Sequence, residues 1–427
     1  MRPIAASIAV RDPYRTEEDP RSVHTTPIDP AGLTAMDPAE AGRVLKGVRE
    51  AVLGGRRSAL GPRAEIGESW QRLMRAGLDP ERGGRAGLLP REEIERRRGE
   101  SPLRTVLPVL REGLVGVADA AQHVVTVADA DGKLLWREGT TAVLRKGDAH
   151  GFVVGSDWSE PLAGTTAIGT VLVARRPVLV HAAEHFVAAY HSWTCAGAPV
   201  ADPRNGRLIG VVNVCGPLGT AHPTILPLVT AVTRLAEAQL RLAHLTALEK
   251  LRAVAAPLLG RMTGRAVVTD GNGWPAAVIG MPPPQGRLQL PRPPAAGRYW
   301  IAPFGTADLE PVPGGWLIRI TEPGGPGPVA RVVVDLTRLP RASATVHGAA
   351  GSWVQELSPR HAQLLGRLAA HREGRSAAEL AADLFGDPTR TVTVRAEMSR
   401  LRRQLPQVLM SRPYRFAESI EVEVRHA

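Results

Sequence analysis

The chain has 427 residues, room for several domains, and an apolar share of 44% that supplies buried cores and excludes a disordered protein. Its formal charge is +11, but all except four of its 53 basic residues (Lys46, Lys133, Lys146 and Lys250) are arginine. With the Ala, Gly and Pro enrichment this reads as coding bias, so global charge points only weakly to nucleic acid.

Cys195 and Cys215 are the only cysteines, with no CxxC and no His/Cys cluster at metal-ligand spacing, so neither a disulfide framework nor a structural zinc site is suggested. The apolar run Pro3–Val10 is too short for a signal-peptide core, and no eighteen consecutive apolar residues occur. A cytoplasmic protein without a membrane span is expected.

Residues 1–38 mix Pro, Asp, Arg and Thr without periodicity, the composition of a disordered tail. From Ala39 to about Arg91 the pattern is helical: Val44, Val48 and Val52 recur at four-residue steps, and Ile66, Trp70, Leu73 and Met74 repeat the period before Gly77 and Pro80. Residues 39–104 are therefore a helical lead-in. A second helical stretch, Thr105–Ala121, runs into the alternating segment His123–Asp129; the turn Asp131-Gly132 and the returning strand Lys133–Arg137 follow. Beyond the loop marked by Gly147, Gly151 and Gly155, two apolar strands, Ser192–Ala201 and Arg207–Cys215, flank a turn with Asn205-Gly206. Residues 105–222 thus predict an α/β domain with an antiparallel sheet and one cavity beneath its connecting loops.

Here a resemblance becomes specific. Ser69-Trp70, Glu160, the run Gly164-Thr165-Thr166-Ala167-Ile168-Gly169-Thr170, Pro177-Val178, Glu184-His185-Phe186, Cys195-Ala196-Gly197-Ala198-Pro199-Val200, Asp202-Pro203 and Gly210-Val211-Val212 occur in this order. The set resembles the GAF sensor of bacterial enhancer-binding activators that respond to acetoin or dihydroxyacetone metabolism, over roughly residues 40–245. It implies that the domain senses a small-molecule effector of unknown identity or a partner protein, with Trp158, Thr165, Thr166, Ile168, His185 and Trp193 lining its pocket. Thr166 stands where the family usually carries Asn. Those activators continue into an ATPase module, yet this chain has no GxxxxGK[ST] phosphate loop, so remodelling of polymerase with ATP is not expected.

From Pro223 to about residue 260 the pattern is helical, with Leu228, Leu235 and Leu242 seven apart. Such a helix pairs with its copy in a homodimer or packs on its own domain. Residues 261–350 hold short apolar runs (Arg265–Val268, Ala276–Ile279, Tyr299–Pro303, Trp316–Ile320, Val332–Leu336) between Gly and Pro clusters, a small β-rich module. It is read as a second sensor or a spacer.

Residues 351–427 carry the output. Ser358-Pro359 opens a helix with Leu364, Leu365 and Leu368 on one face; Ser376 and Glu379 form a capping box for a second, stopped by Gly386. In Thr391–Leu405, Val394, Met398, Leu401 and Leu405 line one face and Arg395, Ser399 and Arg402 another. A hairpin around Met410–Pro413 with Arg412 and Arg415 follows. Between Ser358 and Arg415 there are eleven arginines against five acids, so more than half of the chain's excess charge is local. VRAEMSRLRRQL followed by SRPYRF is similar to the end of the response-regulator winged helix, with Pro413 in place of the usual glycine before the tyrosine. The whole chain is thus expected to be an α/β multidomain protein ending in a winged helix-turn-helix. The expected partner is double-stranded DNA. Arg395, Ser399 and Arg402 are the candidates for base edges, and Arg390, Arg400, Arg403, Arg412 and Arg415 for phosphates.

Two rival readings use the same residues. An enzyme would build on Cys195 activated near His185, but a small buried hydrophobe is the commoner role for a cysteine in an apolar strand, and no enzyme is expected. A GAF-based redox or haem sensor signalling through protein contacts would use Cys195, Cys215 and His185. No cofactor and no metal are assigned.

Overall fold

Two apolar helices that cannot bury themselves open the fold. The computed structural model describes residues 26–28 and 36–426, except 57, 85–86, 121, 292, 303, 323–328, 338–341 and 349–350. The predicted tail lies mostly outside these. Its described part departs from expectation: strand β1 (Thr26–Pro27) pairs in parallel with β2 (Leu60–Gly61), and Ile28 is buried with Leu45 and Val48. Helices α1 (Pro38–Leu53) and α2 (Ala64–Ala76) form where the four-residue apolar steps predict them, and α2 ends on Gly77 in the left-handed conformation at φ 71°. α3 (Arg91–Glu100) and α4 (Leu103–Ala120) lead into the sheet.

The chain forms two compact units, residues 1–242 and 243–427. The sheet of the first contains β3 (Val124–Asp129), β4 (Leu134–Glu138), β5 (Val178–His181), β6 (Trp193–Ala201) and β7 (Leu208–Pro217), in the order β4-β3-β7-β6-β5 and antiparallel throughout. Between β4 and β5 lie α5 (Thr141–Asp148), α6 (Glu160–Ala163) and α7 (Ala167–Ala174).

Side chains alternate along the strands, so both faces need a cover. Val125, Val127, Ala198, Val212 and Val214 pack under α4 and the start of α8 (Ile225–Leu259). Val124, Ala128, Cys195, Val211 and Cys215 face the lead-in helices and the β4–β5 connection. Cys195 and Cys215 oppose each other in register with Cα atoms 4.2 Å apart and are joined as a disulfide, contrary to expectation. The hairpin register is the reason: each cysteine is ten residues from Asn205 in the turn.

The second unit continues with β8 (Arg265–Asp270), β9 (Pro275–Ile279), β10 (Gly297–Ile301), β11 (Gly305–Val312), β12 (Gly315–Glu322), β13 (Val329–Asp335), β14 (Ser343–Gly348) and β15 (Gly351–Glu356). Then come α9 (Pro359–Ala370), α10 (Ala377–Phe385), α11 (Thr391–Gln404), β16 (Leu409–Ser411), β17 (Tyr414–Phe416) and β18 (Glu421–Arg425). Among the described residues its large sheet runs β18-β13-β14-β15-β10-β11-β12-β8-β9, and β16 pairs only with β17.

The boundary expected between 350 and 351 falls inside the β14–β15 hairpin. Trp300, Val332, Val346 and Trp353 share one core with Leu364, Leu380, Met398 and Leu401, and β18 pairs in parallel with β13. The three C-terminal helices are therefore not a free-standing domain but are built on the strands before them. The alternation in Glu421-Val422-Glu423-Val424-Arg425 was the overlooked signal of that last strand.

Buried ion pairs fasten the lead-in helices to the first sheet. Arg63 Nε and Nη2 donate to Glu184 Oε1 (2.8 Å) and Oε2 (2.6 Å), Trp70 Nε1 donates to the Glu184 carbonyl (3.0 Å), and Arg72 holds both oxygens of Glu160 at 2.8 and 2.9 Å. Ser69 binds Glu160 and the Thr165 hydroxyl. Substituting Glu184→Gln removes one of the two carboxylates that hold the Arg63 guanidinium, leaving Glu65 at 3.0 Å, in a site where the Arg63 and Glu184 side chains are under a tenth exposed. Because Glu65 still compensates part of the charge, we expect a loss of about 3 kcal/mol in chemical denaturation, the low end for breaking a buried pair; a loss under 1 kcal/mol shows that the pair is solvated.

Candidate functional site

Strand β6 and the loops around α6 converge six aromatic rings on the cysteine-bearing face. Trp158 stacks on Phe152 with centroids 4.0 Å apart, Trp193 leans on Phe152 at 5.4 Å and His150 at 5.6 Å, and Tyr190 bridges Trp158 (5.4 Å) and His185 (6.2 Å). Three of the sequence candidates, Trp158, His185 and Trp193, are thus brought together, while Phe152 and Tyr190 were missed because each is an isolated aromatic in a loop.

The other three candidates are buried but engaged elsewhere. The Thr165 hydroxyl meets Ser69 at 2.7 Å, Ile168 packs in the core, and Thr166 Oγ1 accepts from the Gly169 amide at 3.1 Å to cap α7. An Asn in that place would cap as well, which accounts for the exchange.

The sequence reading also missed Asn213. It lies on the same face, donating from Nδ2 to Thr126 Oγ1 (2.9 Å) and to Cys215 Sγ (3.0 Å), while its Oδ1 is buried without a partner. A lone Asn within Val-Val-Asn-Val-Cys was its signal. An unpaired buried carbonyl costs about 1–3 kcal/mol, which a donor on a bound molecule would recover.

The opposite, helix-covered face carries a cavity of about 590 Å³, lined by Leu114, His123, Val214, Thr220, Leu228 and others. Gly216 makes room here: a Cβ on it would lie 2.2 Å from His123 Cδ2 and 2.5 Å from Thr220 Oγ1. His123 is held neutral by burial, which lowers its pKa, and contacts Thr220 at 3.2 Å.

On α11, Val394, Met398, Leu401 and Leu405 are buried while Arg395, Ser399, Arg400, Arg402 and Arg403 are exposed, the division that the spacing implies. Half of the eight basic-face candidates are tied to the protein: Arg400 to Glu397 (2.8 Å), Arg390 to Asp387 (3.7 Å), Arg415 to Glu418 (2.7 Å) and Arg402 to the Leu409 carbonyl (3.3 Å). Among the described residues Arg395, Arg403 and Arg412 have no hydrogen-bond or ion-pair partner. Val392, 75% exposed, and Ala396 lie on the outermost face with Ser399 and Arg403. Sequence reasoning passed over both because it sought charge.

Burial holds His185 neutral, with its pKa lowered to about 3 against an ordinary 6.5, even though its Nδ1 lies 2.9 Å from the Ala182 carbonyl. His181 and His191 are lowered by burial in the same sense. For His185, a folded pKa below the unfolded one leaves stability intact above pH 6.5 and removes it as pH falls towards 3, by roughly 1.4 kcal/mol per pH unit, and His181 and His191 act in the same direction. We expect the unfolding midpoint to drop between pH 6.5 and 5. His185→Asn, whose amide takes the place of the ring Nδ1 that faces the Ala182 carbonyl, should flatten that slope by one proton's share; an unchanged slope means that His185 titrates freely.

Comparison with known proteins bears on both units, and a family model matches within the first. Residues 49–239 match the family described as MimR, N-terminal domain. A 47.3 kDa protein encoded in the thcA 5' region of Rhodococcus erythropolis is 30% identical over 363 residues, 85% of this chain and 65% of that protein. The acetoin dehydrogenase operon transcriptional activator AcoR of Bacillus subtilis is 32% identical over 42% of this chain and 29% of its own length. The propane 2-monooxygenase operon transcriptional activator MimR of Mycolicibacterium smegmatis is 29% identical over 40% of this chain and 29% of its own length. The chain thus spans about two thirds of the first relative and under a third of the two activators. Residues 49–239 are thus similar to an N-terminal domain described for MimR, and the chain is similar over part of its length to transcriptional activators.

Proposed function

We propose that the chain is a one-component transcriptional regulator of the cytoplasm: a GAF sensor over residues 105–222, with the lead-in helices as part of its body, and a winged helix-turn-helix at the C-terminal end that binds double-stranded DNA. The observation that carries the reading is α11. It buries an apolar stripe and leaves Arg395 and Arg403 without acidic partners, with Arg412 likewise unpaired between β16 and β17. A helix of this width enters the major groove, where arginine can donate to guanine O6 and N7, and a basic hairpin beside it meets phosphates.

The effector is read as a small uncharged molecule with a hydrogen-bond donor. The aromatic rings give it apolar walls and Asn213 Oδ1 an acceptor. Effector binding alters DNA affinity only by favouring one conformation over another.

A homodimer completes the proposal. On α8, Leu235 and Leu242 are 57% and 59% exposed, and with Leu228, Ala231 and Ala238 they keep three-four spacing. The chemistry of thiols enters as a second reading on one observation, the in-register Cys195–Cys215 pair; reduction that leaves DNA affinity unaltered removes it.

Two experiments test the proposal. With a duplex selected from genomic fragments, Arg395→Ala should cost about 1–3 kcal/mol and relax sequence choice, whereas Arg412→Ala should weaken all duplexes alike. Affinity untouched by both changes sinks the assignment of α11. In sedimentation, the Leu235→Glu, Leu242→Glu double variant should be a folded monomer where the parent is a dimer, and a dimeric variant rejects the helix pairing.

A further inference from the structure

The second unit repeats the plan of the first sheet. Numbered in sequence, β3 to β7 stand in the order 2-1-5-4-3, and β8 to β12 stand in the same order, with antiparallel neighbours throughout. Their first hairpins turn alike. Asp129 Oδ1 accepts from the amides of Asp131 and Lys133 at 2.9 Å, and Asp270 Oδ1 accepts from those of Asn272 and Trp274 at 2.9 Å. Gly132 and Gly273 both sit at φ 88°.

Aligning Asp129 with Asp270 matches the faces as well. Val125 and Val127 lie under the helix that precedes the sheet, and so do Ala266 and Val268, under Leu251, Ala255 and Leu259 of α8. The other face is covered in both by the connection between the second and third strands. In the second sheet that connection supplies Leu288 and Leu290, which pack on Val267, Ile301, Leu309 and Ile318.

On this covered face Thr269 stands opposite Trp316, fully buried, and its hydroxyl has no partner. Leaving a buried hydroxyl unpaired is unfavourable, and nothing in an apolar sheet needs one.

We infer that residues 248–322 are a second sensor of the same plan, with a small-molecule site between the Thr269 face and the segment bearing Leu288 and Leu290. Its occupant is a small uncharged molecule, chiefly apolar, with one hydroxyl or carbonyl to pair with Thr269 Oγ1. The inference rests on reading the first sheet as a sensor, but its test needs no DNA and reads the two units separately.

The test is a titration of the full chain, methyl-labelled at Leu, Ile and Val, with cyclohexanol as the probe. Saturable shifts should appear at Leu288, Leu290, Ile301 and Ile318. Thr269→Val should raise the unfolding midpoint of the free protein and weaken the probe roughly fivefold to tenfold, and Thr269→Ser should restore the affinity. No saturable shift at those methyls, or equal affinity in Thr269→Val, overturns the inference. Shifts confined to Ile168 and Val211 of the first unit overturn it too, while leaving the first sensor standing.

Discussion

An antiparallel sheet buried on both faces imposes the organisation of the first unit. Strands β3, β6 and β7 carry apolar side chains on each side, so one layer of helices cannot be enough. α4 and α8 close one face; the lead-in helices and the β4–β5 connection close the other. That second cover carries Glu160 and Glu184 into the interior, where each needs a cation. Arg72 and Arg63 answer that need from the lead-in segment, which makes it part of the body of the first unit and not an appendage.

The same network explains why Ser69-Trp70, Glu160, Thr165 and Glu184 occur together as a sequence pattern. They meet in space as one set of hydrogen bonds, and the pattern marks the closure of the sheet more than the recognition of a ligand. The residues that this frame leaves over, the rings of Phe152, Trp158, Tyr190 and Trp193 and the unsatisfied oxygen of Asn213, are those to which the proposed function assigns recognition.

Local rules made much of this legible. Heptad-like steps, capping boxes and Gly-containing turns located α1, α2, α10, α11 and the β3–β4 and β6–β7 hairpins. The α11 stripe of Val394, Met398, Leu401 and Leu405 was read with its exposed flank intact. Non-local pairing was not legible. Nothing near residue 330 announces that β13 will take β18 as a parallel neighbour some ninety residues later, or that Trp300 and Trp353 will share a core with Leu364. The cysteine pair was readable but was overlooked, because spacing was examined for metal ligands and not for symmetry about a turn. At the candidate sites the charged and aromatic residues stood out, whereas Asn213, Thr269, Val392 and Ala396 did not, since their importance comes from burial or exposure that only the fold assigns.

The central claim is that α11 presents its outward face to a duplex. Recovering bound fragments from sheared genomic DNA with the full-length protein, and mapping guanine N7 protection on them, addresses it most directly. The account calls for enrichment of fragments sharing a short motif, with N7 atoms shielded in the major groove at its centre. Recovery no better than chance, or bound fragments whose N7 atoms stay fully reactive, would contradict it.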